Sequence, residues 1–101
     1  MSFVVVWEFA PRPDARAEFE RAYGPDGVWV PLFRGSADYL GTELLRDLDA
    51  AGRYVTIDRW TSRTAYQRFR AERAAEYGVI DAQCEALTTH EAFIGVFDVV
   101  G

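Results

Sequence analysis

The chain has no lysine, no asparagine, one histidine and one cysteine in 101 residues. Without a side-chain amine, Schiff-base chemistry is excluded. Cys84 alone cannot form an internal disulfide or a CxxC redox pair. Its spacing from Tyr77, Ile80 and Leu87 marks it instead as a small apolar core residue. One His and one Cys cannot make a zinc site, so no metal ligands are assigned. All eleven basic residues are arginine, against sixteen acidic ones, for a net charge of −5. They form no stripe, which argues against nucleic acid as a partner. No apolar run reaches transmembrane length and no signal peptide is evident, so a cytoplasmic protein with no membrane contact is expected. Gly24-Pro25-Asp26-Gly27 does not follow a strand and is no phosphate-binding loop. No serine sits in a nucleophile elbow.

What the chain does have is apolar surface. Half its residues are hydrophobic and 15% are aromatic. Phe3-Val4-Val5-Val6-Trp7-Glu8-Phe9 and Ala92-Phe93-Ile94-Gly95-Val96-Phe97-Asp98-Val99-Val100 are near-continuous apolar runs. A strand with one wet face alternates; such runs imply burial on both sides. A chain this short forms one domain, residues 1–101, with about two helices to cover one face of a sheet. The other face is expected to meet a second copy of the chain.

The order of elements follows from periodicity and punctuation. Residues 3–9 form a strand stopped by Pro11-Arg12-Pro13-Asp14. A helix then places Ala15, Phe19, Ala22 and Tyr23 on one face. After the turn at Gly24–Gly27, Trp29, Leu32 and Phe33 have helical spacing, with Pro31 in the first turn. A strand from Tyr39 to Arg46 and a polar loop lead to Arg53–Trp60. That strand alternates Val55, Ile57 and Arg59 on one face with Tyr54, Thr56, Asp58 and Trp60 on the other. Thr61 or Ser62 caps a helix carrying Tyr66, Phe69 and Arg73 inward. Gly78 is expected to interrupt it, and a continuation through Cys84 leads past a loop with His90 into the last strand. The sum is a ferredoxin-like βαββαβ fold of the α+β class, a four-stranded antiparallel sheet with helices on one side. Val4, Val6, Val55 and Ile57 mark the open face, where two copies would close into a dimeric α+β barrel.

In element order the chain resembles the antibiotic biosynthesis monooxygenase family. The resemblance rests on Phe3–Phe9, on Gly41-Thr42-Glu43-Leu44-Leu45-Arg46-Asp47, and on Tyr54-Val55-Thr56-Ile57-Asp58-Arg59-Trp60-Thr61-Ser62 running into Ala65-Tyr66. It implies a homodimer with a pocket in each subunit between sheet and helices. The family includes cofactor-free oxygenases acting on polycyclic phenols, haem-degrading enzymes and many proteins of unknown role. The haem branch needs an Asn on strand one and a His on the second long helix. Here Trp7 stands on the strand and no His lies near Tyr77–Val79. The anthrone-oxidising branch has a Trp closing strand three and a Tyr six residues later, matched by Trp60 and Tyr66. Its Asn four residues before the Trp is Thr56 here.

The resemblance thus implies cofactor-free oxygenation, in which a substrate anion itself reduces dioxygen inside a dry aromatic cage. Trp60 and Tyr66 are the expected catalytic pair, stacking on the substrate and hydrogen-bonding its oxygen. Thr56 would orient it, and Trp7, Tyr23, Trp29, Phe33 and Phe69 would bind it as walls. No cofactor is expected, and the partner is a small apolar or aromatic molecule. His90 reads as a solvated loop residue. Glu8, interrupting an apolar strand, needs a partner, for which Arg59 or an arginine of a second subunit is the candidate. The competing function is a homodimer of the same fold that binds an apolar metabolite without transforming it.

Overall fold

A computed structural model describes residues 2–101. Strand β1 (Phe3–Pro11) leads through a short 3-10 turn into helix α1 (Arg16–Tyr23) and then α2 (Trp29–Phe33). Strands β2 (Tyr39–Arg46) and β3 (Tyr54–Trp60) follow, then α3 (Arg63–Glu72), α4 (Ala74–Cys84) and β4 (Thr88–Asp98). The described residues form one sheet in the order β2-β3-β1-β4, with every neighbouring pair antiparallel. This is the ferredoxin-like α+β arrangement that the element order implies.

Strand register sorts the side chains into two layers. Phe3, Val5, Trp7 and Phe9 of β1 stand opposite Trp60, Asp58, Thr56 and Tyr54 of β3. That face meets the helices. Its core joins Phe3, Val5, Phe9, Tyr54 and Trp60 to Phe19, Tyr23, Trp29, Phe33 and Phe69 from the helical side, and Trp60 and Phe19 are fully buried. Burying each such ring contributes roughly 1.5–3 kcal/mol. Cys84 packs in the same core, as its spacing suggests. Ser62 is the cap of α3, its hydroxyl accepting from the Ala65 N–H at 3.1 Å.

The opposite face carries Val4, Val6 and Glu8 of β1, paired with Arg59, Ile57 and Val55 of β3. Leu45 pairs with Val55 and Phe97 with Val4, extending the apolar surface to both edges. No helix lies over it among the described residues.

Three expectations are corrected. The helical break falls at Arg73 (φ −113°, ψ 22°), between α3 and α4, and α4 runs unbroken through Gly78. A Cβ at Gly78 would meet nothing within 4 Å, so this glycine marks no packing constraint. The turn at Arg73 instead redirects the chain so that Tyr77 packs on Trp29, ring centroids 4.8 Å apart. Strand β4 begins at Thr88, so His90 is a strand residue paired with Ala10 and not part of a loop. Glu8 is held by Arg53 and by His90 Nε2 at 3.2 Å, while Arg59 binds Glu43 at 2.9 Å. Arg53 immediately precedes β3, whose antiparallel register on β1 sets Val55 opposite Glu8. Together the Arg53 and His90 hydrogen bonds hold the Glu8 carboxyl below the usual range.

Candidate active site

Between the sheet and the helices lies a cavity of about 40 Å³. Its walls are Trp7 and Phe9 from β1, Tyr23 from α1, Trp29 and Phe33 from α2, Tyr66 from α3 and Tyr77 from α4. Polar groups enter from Thr42, Thr56, Asp58, Asp81 and Glu91. The volume accommodates two or three water molecules, so a ring-sized guest must displace a wall. Trp7 is only partly buried and packs edge-on against Phe93, itself 54% exposed, at 5.3 Å. That corner is the least constrained wall.

Six of the residues singled out from the sequence come together here: Trp7, Tyr23, Trp29, Phe33, Thr56 and Tyr66. Trp60 and Phe69 stand one layer behind. Trp60 packs on Tyr66 at 5.3 Å and on Phe69 at 4.9 Å, and it does not line the cavity. The indole N–H groups of Trp29 and Trp60 are both buried with no hydrogen-bond partner among the described residues. Only that of Trp29 belongs to a cavity wall.

Tyr66 is prepared electrostatically. Its hydroxyl oxygen accepts a hydrogen bond from Arg70 Nη1 at 2.9 Å, one helical turn on, leaving its own proton free to donate. The Arg70 guanidinium also lies over the Tyr77 ring, 3.9 Å from the centroid. Burial pushes the Tyr77 and Tyr23 hydroxyls well above the ordinary phenol range, so both remain protonated donors.

Asp58 was not singled out from the sequence as a site residue. It occupies the middle of β3, on the helix-facing side, between buried Thr56 and Trp60. Thr42 of β2 donates to its Oδ1 at 2.6 Å, and the Tyr39 hydroxyl lies 2.6 Å from Thr42 Oγ1. Because the single Thr42 proton goes to the carboxylate, Tyr39 is the donor in the second bond. Removal from water pushes the Asp58 carboxyl up to about 6, against the opposing pull of the Thr42 bond. Desolvation, with Asp81 and Glu85 nearby, raises Glu91 as well. The sequence carried a signal for Asp58: a carboxylate at an inward position of an alternating strand.

A native-state pKa above the unfolded value means that the folded chain binds more protons between about pH 4 and pH 6. Stability contributed by that protonation is present at acid pH and lost as pH rises through 6. Asp58→Asn removes the ionisation and is therefore expected to stabilise the fold by about 2–3 kcal/mol at pH 8 and to leave it nearly unchanged at pH 4. Urea unfolding at the two pH values checks this; equal effects at both would contradict it.

Comparison with known proteins agrees with this architecture. SnoaB, a cofactor-independent oxygenase from Streptomyces nogalater, shares 25% identity and superposes with a TM-score of 0.76, covering 99% of this chain and 94% of its own. Rv0793 from Mycobacterium tuberculosis is also 25% identical, with a TM-score of 0.67 over 100% of this chain and 97% of its own. A Bordetella bronchiseptica protein at 19% identity shares the fold, with a TM-score of 0.77 over 98% and 97% of the two chains. None of the curated proteins matches the chain. The pattern of one family, described as antibiotic biosynthesis monooxygenase, matches residues 2–77, from the first strand to Tyr77 in the cavity wall. The chain belongs to the antibiotic biosynthesis monooxygenase family.

Proposed function

We propose that the chain is a cofactor-independent oxygenase acting on a small aromatic or polyketide-like molecule held in the ring-lined cavity. The observation that carries this reading is Tyr66, a hydroxyl in the cavity wall whose oxygen is held by Arg70 and whose proton is free. The likeness to SnoaB at 25% identity over nearly both chains supports the same class. An anthrone methylene, conjugated through the ring to the carbonyl opposite it, loses a proton to give a ring-extended enolate. The enolate passes an electron to dioxygen, and the radicals recombine at carbon. Loss of water then leaves a quinone: one oxygen atom becomes the new carbonyl and the other departs with the two methylene hydrogens. The chain's task is to exclude water, hold the ring and stabilise the enolate oxygen. Trp7, Tyr23, Trp29 and Phe33 hold the ring, with Thr56 against its edge. Tyr66 donates to the oxygen, and the Arg70 charge behind it strengthens that donor. Trp60, with Phe69, fixes the position of Tyr66 from behind.

A second reading, a binding module that does not transform its guest, is favoured by Thr56 standing where the anthrone-oxidising branch has Asn. Oxygen uptake separates the two. With anthrone as substrate the oxygenase reading predicts turnover that Tyr66→Phe lowers about 100-fold in kcat/KM and Trp60→Phe lowers less, because Trp60 does not touch the ring. Anthrone retained in native mass spectra with no oxygen consumed would favour the binding module.

The working unit in this proposal is a homodimer joined through the open sheet face. Val6, Val55, Ile57, Leu45 and Phe97 form a patch around buried Val4 that one chain leaves partly uncovered, and Leu45 and Phe97 are nearly half exposed. Sedimentation velocity is expected to give a dimer at micromolar concentration, and Ile57→Asp to give a folded monomer. A monomeric wild-type protein would refute the pairing.

A further inference from the structure

Four carboxylates on or beside the sheet are matched with arginines, whereas Asp58, Glu91 and Asp98 of its strands have no such partner among the described residues. Glu8 and Asp47 share Arg53, Glu20 binds Arg46, and Glu43 binds Arg59. Asp58 has no ion pair among the described residues. Its neighbour Arg59 points to the other side of the sheet, and Arg70 is engaged by Tyr66 and Tyr77. Across the ladder Asp58 faces Val5 on one side and Thr42 on the other. Thr42 takes Oδ1, and Oδ2 accepts no hydrogen bond from the described residues. A partly buried carboxylate with one oxygen unclaimed calls for a proton or a donor from whatever fills the cavity.

We propose that Asp58 is the proton acceptor of this cavity, aimed by a hydroxyl chain that runs from Tyr39 through Thr42 to its Oδ1. This rests on the reading of the cavity as a site for a carbon acid conjugated to a ring carbonyl. In the step, the substrate C–H bond breaks and its electron pair moves into the ring as the enolate. The proton forms an O–H bond with Asp58 Oδ2, and Tyr66 donates to the enolate oxygen on the other side. No oxidant takes part. The two groups divide the work by environment: Tyr66 has a guanidinium behind it and is a donor, while Asp58 has no cation and is an acceptor. Tyr39 matters because its proton on Thr42 commits the threonine to donate to the carboxylate and not away from it.

The other carboxylates at the cavity do not compete. Asp81 and Glu91 are more exposed than Asp58, and neither has a hydroxyl among the described residues that aims one of its oxygens into the cavity, although partial burial raises Glu91. The titratable groups that line the cavity with Asp58 are Tyr23 from α1, Tyr66 from α3, Tyr77 and Asp81 from α4, and Glu91 of β4, with Tyr39 of β2 behind Thr42. A carboxyl lifted by desolvation to about 6 suits this task and is consistent with the geometry.

Exchange of the anthrone methylene hydrogens in D2O without oxygen isolates the proton step from any oxidation. Followed by proton NMR, the wild-type protein is expected to catalyse exchange and Asp58→Asn to slow it at least about 100-fold. Thr42→Val should retain exchange but move the midpoint of its pH profile upward, because the ionised carboxylate loses its donor. Tyr39→Phe should move it the same way by less. Asp58→Ser, with folding checked by circular dichroism, guards against a defect peculiar to the amide. Exchange unaffected by either Asp58 variant, or none by the wild-type protein, overturns the proposal. Exchange that requires Asp58, with no oxygen consumed in air, keeps Asp58 as acceptor and overturns the oxygenase reading instead.

Discussion

Aromatic rings packed against one side of a four-stranded sheet are the constraint from which the rest follows. Phe33 alone touches Trp29, Tyr39, Trp60 and Phe69 within ring-centroid distances of 5.4–5.9 Å. Rings are rigid plates that pack edge-to-face or offset, and such contacts add to the free energy of burial. Plates do not fill every corner, and the corner they leave is the cavity. Strand β3 determines its chemistry: Tyr54 and Trp60 seal the two ends, and Thr56 and Asp58 face inward between them.

Charge is arranged around the same frame. Arginine is the chain's sole permanent cation, and on the sheet it is committed to carboxylates at the rim or the open face. The helix-facing layer has Arg70, which is spent on two tyrosines. A carboxylate at the centre of that layer is therefore left without a counter-charge, a costly arrangement for folding that is characteristic of sites where chemistry is done. The same logic separates Asp58 from Glu8. Both interrupt apolar stretches, but Glu8 is closed off by Arg53 and His90 and does structural work on the opposite face.

Much of the fold could be read from local pattern. The alternation of Val55, Ile57 and Arg59 against Tyr54, Thr56, Asp58 and Trp60 assigns β3 its two faces correctly, and Ser62 marks the start of α3 through a cap that acts within three residues. Long-range pairing could not be read in this way. Arg53 and Glu8 are 45 positions apart, and only the register of β1 on β3 brings them together. The break at Arg73 has no proline or glycine to announce it, because it is imposed by the packing of Tyr77 on Trp29. The aromatic walls of the site could be named in advance since rings in a small domain concentrate inside. Trp60, expected to stack on the substrate, stands one layer behind the wall, because one residue's depth behind a surface is a property of three packed elements. Asp58 sat at a legible inward position, but its importance depends on the absence of a cation, which sequence spacing does not reveal.

The account depends most on a carboxylate that a folded chain keeps from water without giving it a partner charge. Site-specific 13C titration of the Asp58 side chain, with Asp58→Asn used to assign the resonance, measures this directly. A midpoint near 6 is the predicted result. A midpoint near the ordinary aspartate value of about 4 would mean that the group is solvated or paired, and would contradict the account.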